Sequence, residues 1–246
     1  MKSHLNRRSF LIAGASASVA VAAPAQAREI QGQEPWQPHQ ADAPDPVQSP
    51  NYLSFTAGEV AFVEAATERL IPADDLGPGA KACNVPLFID HQLAGAYGRG
   101  QSWYMQGPWK KGEKTQGFQS RLGPADMYRA AIKAIDAHVS GKEVGKKFSD
   151  LAGDAQDALL SDMEKGTLTL DGVDTAAFFK LLLQNTKEGM FSDPIYGGNK
   201  DMAGWKLIGF PGARYDYRPY VSRHGEKLGL APVGIRGRAG WKSAHE

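Results

Sequence analysis

The sequence predicts a mainly α-helical single domain, about five helices joined by long irregular loops rich in glycine and aromatic residues, behind a cleaved signal peptide. Three observations predict it. Apolar residues recur at helical spacing in five runs, most of them bounded by capping or helix-breaking residues. No run alternates with period two beside hairpin turn chemistry. The first 27 residues have the layout of an export signal.

In that signal, Lys2, Arg7 and Arg8 form a positive region, Phe10 to Ala23 an uncharged stretch, and Ala25-Gln26-Ala27 a small-x-small cleavage site ending at Ala27. The uncharged stretch is too short to span a bilayer core of ~30 Å. Asn6-Arg7-Arg8-Ser9-Phe10-Leu11-Ile12 resembles the twin-arginine pattern, with Asn and Ile at two variable positions. The stretch behind it holds Ala, Ser, Gly and Val without a leucine run, which favours the twin-arginine route over the general secretory one. That route carries folded proteins. It places the chain in the periplasm and makes the twin-arginine translocase its first partner.

Removing this segment leaves 219 residues and a net charge of −2, against +1 for the whole chain. A near-neutral chain without a basic stripe excludes nucleic acid as the expected partner. No second long apolar run follows, so membrane contact is expected only through partners. Cys83 is the only cysteine, which excludes an intrachain disulfide, an iron–sulfur cluster and c-type haem in this chain. A small buried apolar residue is its simplest reading.

Residues 28–52 are rich in Pro, Gln, Asp and Ala and read as an extended arm that Trp36 and Tyr52 could pin to a surface. The domain then spans residues 53–222. Its first helix opens on the capping box Thr56-Ala57-Gly58-Glu59, continues through Val60, Val63, Ala66, Thr67, Leu70 and Ile71, and stops at Pro72. Asn84 is expected to cap a second helix with Val85, Phe88, Ile89 and Leu93 on one face, ending at Gly95. Residues 97–123 lose all periodicity. A third helix starts at Pro124 with Tyr128, Ala131, Ile132, Ile135 and Val139 inward. A fourth runs from Asp154 to Gly166, and a fifth follows the Asp174 cap with Phe178, Phe179, Leu182, Leu183 and Thr186 buried. From Gly189 to Pro219, glycines alternate with large aromatics and no regular element is expected, only a rigid irregular contact surface. Residues 223–246 read as a flexible Gly-rich basic tail.

The chemistry-bearing patterns are weak. Gly77-Pro78-Gly79-Ala80-Lys81-Ala82 fits a loose dinucleotide pattern but follows a helix, so an interhelical turn is the better reading. Asp74 and Asp75 sit in the same turn and read as turn formers. No two histidines stand at metal-ligand spacing, and His91 and His138 read as helix-surface or capping residues. Asp193, Tyr196, Asn199, Lys200 and Asp201 could form a polar site for acid–base work. Satisfying backbone in a tight turn, or pairing across an interface, explains them more simply. No catalytic residue, cofactor-binding residue or metal ligand is assigned.

Four blocks carry a family resemblance: the signal; Thr67-Glu68-Arg69-Leu70-Ile71-Pro72-Ala73-Asp74 with Gly77-Pro78-Gly79-Ala80; Phe88-Ile89-Asp90-His91-Gln92-Leu93-Ala94-Gly95; and Glu188 with Asp193-Pro194-Ile195-Tyr196-Gly197-Gly198-Asn199-Lys200-Asp201-Met202-Ala203-Gly204-Trp205 to Gly209-Phe210-Pro211-Gly212. The chain resembles gluconate 2-dehydrogenase subunit 3, the small subunit of membrane-associated FAD-dependent sugar and sugar-acid dehydrogenases. The resemblance implies a non-catalytic subunit that supports folding of a large flavoprotein and lends it an export signal. FAD would sit in that partner, and c-type haem in a membrane-anchored multihaem cytochrome c subunit where one is present. Within the glycine- and aromatic-rich segment, Asp193, Pro194, Tyr196, Asn199, Asp201, Met202, Trp205, Phe210 and Pro211 are the expected partner interface. A catalytic periplasmic oxidoreductase and a free-standing periplasmic binding module are the alternatives.

Overall fold

The structure, a computed structural model, describes residues 50–109, 112–113, 115–116, 120–214 and 216–235. Arg7, Arg8, Phe10, Leu11, Ala27, Trp36, nearly all of the arm and the end of the tail lie outside the described residues. The described chain is helical, with six α-helices and no strands: α1 Ala57–Leu70, α2 Val85–Ala94, α3 Pro124–Lys142, α4 Gly153–Lys165, α5 Thr175–Phe191 and α6 Ala203–Ile208. The five expected helices are present. The sixth lies in the segment where no regular element was expected.

Local chemistry sets each boundary. Thr56 and Glu59 close the capping box on α1, with the Thr56 N–H donating to Glu59 Oε2 at 2.8 Å. Asn84 does not cap α2. It is left-handed (φ 59°) and makes no side-chain cap bond, and Pro86, preset for a helical first turn, supplies the start instead. In the turn before it, Asp74 Oδ1 accepts the N–H groups of Leu76 and Gly77 at 2.8 and 3.2 Å. The Glu68 carboxylate accepts those of Ala73 and Lys81 at 3.3 and 2.9 Å, and a Cβ at Gly79 would collide with Glu68 and the Ala73 backbone. The glycine-rich turn is thus closed on its own chain.

α5 is the centre. It packs against α1, α2, α3, α4 and α6, and its buried residues include Phe178, Phe179, Leu182, Asn185, Thr186, Gly189 and Met190. The sequence reading took Gly189 as the end of regularity, yet the helix runs on to Phe191. A Cβ at Gly189 would lie 3.0 Å from both Phe88 and Val85 of α2. The glycine is therefore a close-approach residue inside the helix. Phe62, Tyr128, Phe148 and Phe178 form an aromatic cluster between α1, α3 and α5, with Tyr128 edge-on to Phe178 at 5.3 Å. Such pairs add about 0.5–1.5 kcal/mol beyond their buried area.

The entry of the chain into α1 is held by a residue sequence reasoning missed. Asp90 of α2 is fully buried, and its carboxylate accepts the N–H groups of Leu53, Ser54 and Phe55 at 2.5, 2.9 and 2.7 Å. The Asn51 carbonyl lies 3.0 Å from His91 Nε2, and the Tyr52 hydroxyl donates to Glu64. The expected pinning by Tyr52 is present, and the Asp90-His91 pair is its main anchor. The Tyr128 hydroxyl, also fully buried, has no hydrogen-bond partner among the described residues.

Candidate partner-binding face

The segment after α5 is built by gripping the last turn of that helix. Asp193 Oδ1 accepts the Ile195 N–H at 3.0 Å and starts the 3-10 turn Pro194–Tyr196. Gly197 leaves it with φ 94°, and Gly198 packs so tightly that a Cβ there would strike the Gly189 carbonyl. Asn199 is fully buried in a left-handed conformation (φ 46°). Its amide donates to the Ser192 carbonyl at 2.7 Å and accepts the Gly204 N–H at 2.8 Å. One side chain thereby joins the end of α5 to the start of α6.

Asp201 and Met202 are left-handed as well (φ 57° and 56°), so three of the four non-glycine residues with positive φ among the described residues stand between positions 199 and 202. Backbone strain of this kind costs ~1–3 kcal/mol per residue and persists where the surroundings fix it. Here they do. The Lys200 N–H donates to the Cys83 carbonyl at 3.1 Å, and a Cβ at Gly204 would strike the Met190 carbonyl. The indole N–H of Trp205 donates to the Phe191 carbonyl at 2.7 Å. Gly209 ends α6 at φ 68°, and the Phe210 ring sits edge-on to Trp205 at 5.2 Å.

The expected interface residues therefore divide. Asn199 and Trp205 are buried with their polar groups spent inside the fold, so they are scaffold and not contact residues. Asp193 is half-buried and occupied, since its second oxygen accepts the Ile235 N–H at 2.7 Å. Pro194, Met202 and Pro211 are half-buried; Tyr196, Asp201 and Phe210 are exposed. Backbone satisfaction is thus what Asp193 and Asn199 do. Of the five residues weighed for acid–base work, these two are engaged by the backbone.

Three exposed apolar residues escaped the sequence reading: Phe191, Leu207 and Ile208. Phe191, with Phe88, Gln92, Glu188, Ser192 and Tyr196, lines a shallow groove of about 420 Å³ between α2 and the end of α5. Leu207 and Ile208 at the end of α6 and Phe210 just after it are exposed as well. Ile208 is 59% and Phe210 42% exposed on a chain whose comparable side chains are mostly interior, as at partner-binding faces.

Part of the expected tail is bonded to this segment. Val233 pairs with Gly212, its carbonyl accepting the Ala213 N–H at 2.6 Å and its N–H donating to Pro211 at 3.2 Å. A guanidinium N–H of Arg214 donates to the Ala231 carbonyl at 2.6 Å. Residues 231–235 are docked on the segment, not free of it.

Electrostatically the face is quiet. Burial first, then the neighbouring Glu68 and Asp201 carboxylates, push the Cys83 thiol up, so it stays protonated and acts as a small apolar residue. Among the described residues no three His, Cys, Asp or Glu side chains gather as a metal site, and no helix is long and apolar enough to cross a membrane. What the arrangement offers is a surface on which Tyr196, Leu207, Ile208 and Phe210 are exposed beside Lys200, Asp201 and Lys206, while Asn199 and the Trp205 indole N–H are spent inside.

Comparison with known proteins places this geometry. The family model described as gluconate 2-dehydrogenase subunit 3 matches residues 57–212, from the first residue of α1 to the glycine that pairs with Val233. No curated protein and no solved structure matches the chain. The family match covers well over half of the 246 residues and takes in all six helices together with the strained turn, so the chain belongs to the gluconate 2-dehydrogenase subunit 3 family, an accessory subunit of a dehydrogenase complex.

Proposed function

We propose that the chain is the non-catalytic small subunit of a periplasmic FAD-dependent dehydrogenase acting on a sugar, polyol or sugar acid. It supports folding of the large flavoprotein subunit and carries it out of the cytoplasm on its twin-arginine signal. The flavoprotein holds the FAD and performs the oxidation. Where a multihaem cytochrome c subunit is present, it takes the electrons and tethers the assembly to the inner membrane.

The family match over residues 57–212 carries this reading. The segment 193–211 supports it, because its strain, close glycine contacts and buried amide all serve to present Tyr196, Leu207, Ile208 and Phe210 outward. Aromatic and aliphatic anchors held rigidly lose little entropy on binding.

Expression of the large subunit with and without this chain tests it. With the chain, the flavoprotein is expected to load FAD and reach the periplasm. Equal folding, loading and export without it would overturn the proposal. Replacing Arg7 and Arg8 with Lys should hold both proteins in the cytoplasm, and export of the flavoprotein despite that change would refute co-transport.

A further inference from the structure

The family match ends at Gly212, and the chain beyond it comes back to that residue. Val233 pairs with Gly212 in parallel register. Its N–H donates to the Pro211 carbonyl at 3.2 Å, and its carbonyl accepts the Ala213 N–H at 2.6 Å. Two positions earlier, the Ala231 carbonyl accepts from the Arg214 guanidinium at 2.6 Å. Two positions later, the Ile235 N–H donates to Asp193 Oδ2 at 2.7 Å. Residues 231, 233 and 235 thus turn their backbone groups to the body with a period of two, as an extended strand laid along an edge does.

Each of these four bonds uses a backbone group of the strap and none of its side chains. A contact made this way reads extended conformation more than sequence, and another extended peptide can supply it. The receiving side is shaped for a second backbone. Gly212 is buried at φ 80°, and a Cβ there would collide with the Val233 backbone. Asp193, Pro211 and Gly212 lie within the matched span, whereas the strap lies beyond it.

The strap is also lightly held. The stretch leading to it, residues 216–230, is largely exposed, with local ion pairs between Arg218 and Asp216 and between Arg223 and Glu226. A few backbone bonds, each of small net worth, stand against the entropy of ordering the strap and that stretch. Such an occupant can be exchanged. Its site adjoins exposed Tyr196 and Phe210 in sequence, so a partner covering that face meets the strap.

We propose that Asp193 and residues 211–214 form a strand-docking site for an extended segment of the large subunit, and that residues 231–235 hold this site in cis until that segment displaces them. The partner's identity rests on the function proposed above; the site does not. Held on the same chain, the strap acts at high effective concentration and keeps the edge from pairing with other extended chains. The incoming segment offers an N–H and a carbonyl to Ala213 and Pro211, with a carbonyl for Arg214 and an N–H for Asp193 two residues to either side. It therefore has no proline at the positions that match 233 and 235.

Hydrogen exchange at the Ala213 amide in the full-length chain tests the proposal. The wild-type amide should be protected. Val233→Pro removes the N–H that donates to Pro211 and should speed this exchange about fivefold or more, the equivalent of one net hydrogen bond, with helical circular dichroism unchanged. Ile235→Pro should act in the same direction by removing the bond to Asp193. A synthetic peptide with the sequence of residues 229–235, in excess, should restore protection in Val233→Pro and leave the wild type unaltered. The bound large subunit should protect Ala213 in Val233→Pro as well. That variant should retain at least as much large subunit as the wild type, and the peptide should reduce the amount. An unprotected Ala213 in the wild type, or a peptide that leaves the variant open, would overturn the site. A Val233→Pro chain that binds the large subunit with Ala213 still open, or binds less of it than the wild type, would overturn the displacement. A wild-type chain that brings down no flavoprotein overturns the function proposed above and with it the partner, while the peptide result still decides the site.

Discussion

Replacing Asn199 with alanine and with aspartate probes the joint on which the proposed face depends. The wild-type amide makes two buried hydrogen bonds, to the Ser192 carbonyl at 2.7 Å and from the Gly204 N–H at 2.8 Å. Alanine loses both and strands one donor and one acceptor, at about 1–3 kcal/mol apiece. It also tolerates φ 46° less well than asparagine does. The expected loss is about 3 kcal/mol, a large share of the ~5–15 kcal/mol that holds a typical domain. Urea denaturation gives the global value. Hydrogen exchange at the Gly204 amide gives the local one if only the segment opens.

Aspartate sharpens the test. It keeps the acceptor for Gly204 but sets a carboxylate oxygen against the Ser192 carbonyl, where the wild type has a donor. That repulsion raises the folded-state pKa of the new carboxyl above its unfolded value of about 3.9. Below about pH 4 the carboxyl is protonated in both states and can donate to Ser192. As pH rises above that value the unfolded state releases the proton first, so the variant loses stability relative to wild type. Asn199→Asp should therefore be closer to wild type at pH 4 than at pH 7. A loss under ~1 kcal/mol in Asn199→Ala with unchanged Gly204 exchange, or an Asp variant with no added pH dependence, would refute the role given to this side chain.

Three further outcomes are expected. Asp90→Ala should destabilise the fold by about 2–4 kcal/mol in urea denaturation, because three N–H groups, that of Phe55 buried and those of Leu53 and Ser54 partly so, lose their acceptor. Ile208→Asp should leave monomer stability within about 1 kcal/mol, its side chain being 59% exposed, while weakening co-purification of the large subunit. His138→Gln should flatten the fall of stability on the acid side: burial first, then nearby Lys142, depress the folded pKa of His138. The unfolded state therefore gains protons preferentially as pH drops through about 6.5, and denaturation midpoints between pH 7 and 5 read the difference.

What could be read in the sequence was whatever acts locally. The Thr56 capping box, the Pro72 stop, the Asp174 cap and the inward face of α3 follow from neighbours within a few positions, and all stand in the structure. What could not be read was set by contacts distant along the chain. Gly189 looks like a breaker until Phe88 and Val85 press against it. Asp90 looks like a surface acid until the backbone at 53–55 closes over it. Ala203–Ile208 is too short to show a period, and it is a helix because Trp205 anchors it to Phe191. Residue type places Asn199 and Trp205 at the expected interface, but type does not say which side of a turn faces solvent, and the exposure of Leu207 and Ile208 is unreadable for the same reason.

Purification of a tagged chain from its native cells, followed by flavin absorbance and identification of what accompanies it, tests the accessory-subunit assignment most directly. A large FAD-containing polypeptide is expected in equal amount, with dye-linked sugar or sugar-acid oxidation residing in that complex and absent from the separated small chain. A chain that purifies without a flavoprotein, or that oxidises such a substrate by itself, would contradict it.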